Sequence, residues 1–121
     1  MLVEDDATVT GGMRILFEET GHRFHAAASV AEAVERFAAD PADVLLLDLT
    51  LPDGDGLEVL SRLETQGVRP RAAVALTGRD DPATVARCRA AGCRDVLLKP
   101  VPIRELLRRV GELAVAGNGS R

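Results

Sequence analysis

Val44-Leu45-Leu46-Leu47 is apolar at every position, the pattern of a strand buried on both faces at the centre of a parallel sheet. Four further short runs, near residues 1–5, 23–27, 71–76 and 94–98, read as strands alongside the one at 43–48. Segments of helical period separate them. That alternation predicts an α/β protein built from five βα units, with right-handed crossovers placing helices on both faces of a five-stranded sheet.

The helices carry their own start and stop signals. Val9, Met13, Leu16 and Phe17 form a stripe that ends at Gly21, a residue suited to close a helix. Ser29-Val30-Ala31-Glu32 fits a capping box. Asp81-Pro82 offers an N-cap followed by proline at the first helical position, and Gly92 ends that helix. Pro102 opens the last one, with Ile103, Leu106, Leu107 and Val110 on a single face. The domain is expected over 1–116, with 117–121 as a flexible tail or linker stub.

At 121 residues the chain is one domain with enough apolar residues, 46%, to bury a core without staples. The net charge of −4 gives no reason to expect nucleic acid or an anionic membrane as partner. No apolar run approaches the ~20 residues of a membrane helix, and the start lacks a signal-peptide pattern, so a cytoplasmic location is expected. Cys88 and Cys93 read as reduced structural thiols, and His22 and His25 as surface or loop residues without ligand spacing.

Lys99 is the only lysine among fifteen basic residues, where an apolar run meets Pro100. An ammonium in a chain that otherwise uses arginine marks a place for a compact point charge. Ligands of open α/β sheets gather outside the carboxyl ends of the strands. Glu4 and Asp5 follow the first strand, Asp48 the third, Thr77-Gly78 the fourth and Lys99 the fifth.

Three carboxylates brought together repel one another unless a cation intervenes, and Mg²⁺ suits a site with few protein oxygens, several waters and a phosphoryl group. The Thr50 carbonyl is a further candidate ligand. Asp48 beside Mg²⁺, with the Thr77 hydroxyl and the Lys99 ammonium facing the same volume, is equipped to attack phosphorus and become an aspartyl phosphate. Asp6 reads as a helix N-terminus, and Leu51-Pro52-Asp53-Gly54-Asp55-Gly56 as a turn leading into a helix.

The motifs Leu2-Val3-Glu4-Asp5-Asp6, Asp48 through Leu57, Ala75-Leu76-Thr77-Gly78 and Lys99-Pro100 together resemble a response-regulator receiver domain of two-component signalling. The resemblance implies a flavodoxin-like (βα)₅ fold of strand order 2-1-3-4-5, for which a chemotaxis receiver is a standing example. It implies Glu4 and Asp5 as the acidic pair for Mg²⁺, Asp48 as phosphoacceptor and Thr50 as main-chain metal ligand. Thr77 becomes the switch hydroxyl, and Lys99 the phosphate-binding lysine before a cis Pro100.

By the same resemblance the donor is a phosphohistidine on a sensor histidine kinase or phosphotransfer protein, docking on the first helix through Val9, Met13 and Arg14. The domain is then a signalling switch that catalyses only its own phosphorylation and dephosphorylation. The face of the fourth helix, fifth strand and fifth helix is the expected output or homodimer surface, with Arg104, Arg108 and Arg109 as candidates for ion pairs between subunits. Two positions depart from the family pattern: Val96 stands where many receivers carry a swinging aromatic ring, and Val101 where phenylalanine is usual.

A pseudo-receiver, keeping the fold as a phosphorylation-independent interaction module, is the first alternative. A haloacid-dehalogenase-like phosphatase is the second. That class wants an aspartate two places after the nucleophile, where Thr50 stands.

Overall fold

The computed structural model describes residues 1–79 and 81–119. In chain order the elements are β1 (Leu2–Val3), α1 (Ala7–Glu19), β2 (Ala26–Ala27), α2 (Val30–Ala39), β3 (Val44–Asp48), β4 (Thr50–Leu51), β5 (Gly54–Asp55), α3 (Leu57–Thr65), β6 (Ala72–Thr77), α4 (Pro82–Ala90), β7 (Asp95–Leu98) and α5 (Ile103–Gly119). Five parallel strands run in the order β2-β1-β3-β6-β7. Without the small β4–β5 hairpin this is the expected 2-1-3-4-5 arrangement.

Strand parity sorts the core into two layers. Leu45 and Leu47 of β3 join Phe37 of α2, Leu63 of α3 and Cys88 of α4 on one face. Val44 and Leu46 join Phe17 of α1 and Leu106 and Val110 of α5 on the other. A run that is apolar at every position therefore feeds both layers, which is why β3 sits at the centre. β1 and β2 are shorter than their apolar runs. Bonds from the Leu2 N–H to the His25 carbonyl and from the Glu4 N–H to the Ala27 carbonyl, both 2.9 Å, continue the pairing past the strand ends.

Helix ends follow the sequence signals. Asp6 caps α1 through the Thr8 and Val9 N–H groups, and Asp81 caps α4 through the Thr84 N–H. Ser29 accepts from the Glu32 N–H at 3.1 Å, while Glu32 reaches back one residue beyond the usual capping box, to the Ala28 N–H at 2.9 Å. Past α1, Gly21 (φ 87°) and His22 donate to the Glu18 and Phe17 carbonyls. Gly92 (φ 103°) and Cys93 do the same for Arg89 and Cys88. Both are Schellman closures, in which the left-handed residue carries no Cβ penalty.

The apolar stripe of α5 continues through Leu113 and Ala114, which pack on the layer of Phe17 and Leu106. Ser120 and Arg121 lie outside the described residues. Among the described residues no helix is long and apolar enough to cross a membrane.

Gly11 and Gly12 lie inside α1, where an added Cβ would meet nothing within 4 Å. Glycine there costs backbone entropy without serving a contact. Gly12→Ala is expected to stabilise the fold by about 0.5–1 kcal/mol, read as a higher urea midpoint at unchanged slope. A lower midpoint would show that the glycine serves a conformation other than this helix.

Candidate functional site

Each expected site residue lies at or just past a strand's carboxyl end: Glu4 and Asp5 after β1, Asp48 at the end of β3, Thr77 at the end of β6 and Lys99 after β7. Parallel pairing of β3 with β6 sets Asp48 opposite Leu76, one residue from Thr77. Glu4, Asp48 and Thr77 are buried, Lys99 is half-buried and Asp5 is exposed. The Lys99 N–H donates to the Thr77 carbonyl at 2.7 Å, and the Lys99–Pro100 peptide bond is cis.

The Lys99 Nζ lies 3.1 Å from Asp48 Oδ2 and 3.4 Å from Glu4 Oε1. Asp48 Oδ1 accepts from the Thr50 N–H at 3.1 Å, and Glu4 Oε2 from the Asp6 N–H at 3.3 Å. The Thr77 Oγ1 accepts from the Arg79 N–H at 3.0 Å, which leaves the hydroxyl proton available for donation. Burial, and then the adjacent Asp48 carboxyl, push the Glu4 pKa above its ordinary value. Burial works against the Lys99 ammonium, but the bond to Asp48 and the two nearby carboxylates outweigh it and raise its pKa.

The Lys99 ammonium pairs with Asp48 and Glu4, and Asp5 adds a third carboxylate to the cluster. Glu4, Asp5 and Asp48 each offer an oxygen within 4.8 Å of the others, all hard donors of the kind a small divalent cation takes. The upward push on Glu4 is the signature of negative charge crowded into a desolvated space, and a cation would relieve it. Charge and donor type therefore fit Mg²⁺.

The turn read over 51–56 holds more structure than its composition signals. β4 and β5 pair antiparallel, Thr50 with Asp55 and Leu51 with Gly54. Asp53 leaves its own loop and accepts from the Val30 and Ala31 N–H groups, at 2.8 and 3.1 Å, at the start of α2. Asp55 accepts from the Leu57 N–H at 2.9 Å to cap α3, and it also pairs with Arg87 of α4. A Cβ on Gly56 would stand 2.1 Å from the Asp48 carbonyl oxygen. Such links across the fold leave no local signal, although two aspartates flanking a glycine before a helix hint at capping.

The bonds from α2 hold the Asp53 pKa below its ordinary value. A carboxyl depressed on folding adds stability above its unfolded pKa of about 3.9 and loses it as pH falls through the folded value. Asp53→Ala is expected to lower the urea midpoint at neutral pH, with the difference from the parent chain closing as pH falls below about 3.9. A gap of constant size down to the acid transition would rule out that cap.

Val96 packs against the layer of α2, α3 and α4, and Val101 against that of α1 and α5. Two of the three arginines named as candidates for ion pairs between subunits are engaged within the chain: Arg108 with Glu105 and Glu112 at 2.8 and 2.6 Å, and Arg109 with Asp95 at 2.6 Å. The two cysteines are buried, and burial, then Cys88, pushes the Cys93 thiol up to about 12, out of reactive range. His22 packs edge-on to Phe17, and His25 lies 3.5 Å from Asp40, both away from the carboxylate cluster.

A doubly wound five-stranded sheet with an acidic cluster, a threonine and a lysine at its carboxyl edge defines the receiver class. The chain belongs to the response regulator receiver domain family, which it matches over residues 1–111. It is 34% identical over 110 residues to the swarming motility regulation protein RssB of Serratia marcescens, covering 91% of this chain and 50% of that protein. The response regulator MprA of Mycobacterium ulcerans is 34% identical over 113 residues, covering 93% and 48%. The chain thus spans about half the length of these relatives.

A receiver domain of Francisella response regulator 1452 superposes with a TM-score of 0.87 at 27% identity, covering 95% of this chain and 94% of that one. A CheY-like receiver from Methanospirillum hungatei gives 0.88 at 22% identity, covering 99% and 95%, and supports the fold alone. The protein is therefore a receiver domain of two-component signalling.

Proposed function

We propose that Asp48 accepts a phosphoryl group in a Mg²⁺-dependent reaction, with a phosphohistidine on a sensor histidine kinase or phosphotransfer protein as the donor. The carrying observation is the Lys99 ammonium 3.1 Å from Asp48 Oδ2, inside a cluster that also holds Glu4 and Asp5.

An Asp48 oxygen attacks phosphorus in line. The P–N bond of the donor breaks with its electron pair left on the imidazole nitrogen, and an acyl phosphate forms on Asp48. Lys99, already held between Asp48 and Glu4, places its charge where the phosphoryl oxygens develop theirs. Thr77, its oxygen fixed by the Arg79 N–H, turns its proton toward one of those oxygens. Glu4, Asp5, Asp48 and the Thr50 carbonyl would hold Mg²⁺, which supplies charge neutralisation at the phosphoryl group.

α1 is the proposed donor-docking surface, with Val9 exposed on it. The α4, β7 and α5 face, where Leu98 is exposed, is the proposed output or dimer surface. Beryllofluoride, a tetrahedral phosphoryl mimic, tests the site without a kinase. It is expected to bind in the presence of Mg²⁺, and to fail on Asp48→Ala or after chelation. Equal binding to Asp48→Ala would contradict the assignment.

A further inference from the structure

The β4–β5 hairpin provides a route from Asp48 to the surface. Asp48 Oδ1 accepts from the Thr50 N–H. Thr50 pairs across the hairpin with Asp55. Asp55 Oδ1 caps α3 through the Leu57 N–H, and Asp55 Oδ2 pairs with the Arg87 guanidinium in the last turn of α4. Three short steps connect the acceptor carboxylate to the fourth helix.

α4 is also loosely seated. It buries only Thr84 and Cys88, one turn apart, whereas α3 at the same length buries Leu57, Val59, Leu60 and Leu63. A helix with so few buried contacts sits at the low-stability end of the fold, where one added tether shifts its position measurably. The other end of the link is stiff, because the Gly56 N–H bonds to the Leu49 carbonyl at 3.0 Å and the Asp48 backbone leaves no room for a side chain at Gly56. Movement at Asp48 is thus passed on to Asp55.

We propose that the Arg87–Asp55 ion pair couples the state of Asp48 to α4, with Arg87 acting as a positioning residue for the acceptor loop. The inference rests on Asp48 being the phosphoacceptor. Phosphorylation turns the Asp48 carboxylate into an acyl phosphate and moves the negative charge out onto the phosphoryl oxygens, so the Thr50 N–H loses its charge-assisted acceptor at Asp48 Oδ1 and the hairpin relaxes. Arg87 then either follows Asp55 or releases it, and α4 changes its seat. Coupling is reciprocal, so a partner that holds α4 alters the ease of phosphorylation at Asp48.

Hydrogen–deuterium exchange over Pro82–Ala90, with and without acetyl phosphate and Mg²⁺, tests this in the parent chain, Asp55→Asn, Arg87→Gln and the double variant. Asparagine keeps an oxygen for the Leu57 N–H and removes only the charge. Intact mass is read on the same samples. The parent chain is expected to gain one phosphoryl group and change its α4 exchange. Each single variant should still gain the group while losing at least half of that change, and the double variant should lose no more than either single.

An α4 response of parent size in the single variants, losses that add in the double variant, or an α4 that never responds in a phosphorylated parent would overturn the coupling alone. A parent chain that gains no phosphoryl group would overturn the reading of Asp48, and the coupling with it.

Discussion

Lys99→Ala is expected to slow phosphorylation of Asp48 by about 10²–10³-fold while Mg²⁺ still binds. The Lys99 Nζ brings positive charge to within 3.1 Å of Asp48 Oδ2. Removing it leaves Glu4 and Asp48 buried without their counter-charge, so the carboxylates also become harder to keep ionised together. Lys99→Arg should rescue poorly. The guanidinium is a wide planar fork, and the site holds a compact ammonium wedged between two carboxylate oxygens. Parent-like rates in Lys99→Ala, timed by intact mass with acetyl phosphate, would remove the lysine from the reaction.

Gly56→Ala is expected to cost the fold about 3 kcal/mol or more, a large effect for one methyl group. Its Cβ would lie 2.1 Å from the Asp48 carbonyl oxygen, 3.0 Å from the Asp48 carbonyl carbon and 3.1 Å from the Leu49 Cα. All three are backbone atoms, so no side chain can swing aside. The φ of −54° is ordinary for any residue, which places the requirement in space and not in backbone conformation. The nearest relief is to displace residues 48–49, and with them the acceptor carboxylate. Urea unfolding of Gly56→Ala beside Gly67→Ala separates the two causes, because Gly67 has a positive φ of 75° but open space around it. A midpoint for Gly56→Ala within error of the parent chain would show that the loop repacks freely.

Much of this arrangement is legible from the residues alone. The unbroken apolar run at 44–47 marks the central strand, because only a strand covered on both faces uses every position. Glu4, Asp5, Asp48, Thr77 and Lys99 are legible as a group because strand ends in a parallel sheet converge, so their positions along the chain translate directly into proximity.

The β4–β5 hairpin and its links are not legible in the same way. Asp53 at the start of α2 and Asp55 against Arg87 are contacts across 22 to 32 residues, made by a carboxylate whose local surroundings already explain it as a turn residue.

The most direct measurement is the intact mass of the chain after incubation with Mg²⁺ and acetyl phosphate, beside Asp48→Ala and a chelated control. One added phosphoryl group on the parent chain alone, sensitive to chelation, is the expected result. An unmodified parent chain, or the same adduct on Asp48→Ala, would contradict a phosphoacceptor at the end of β3.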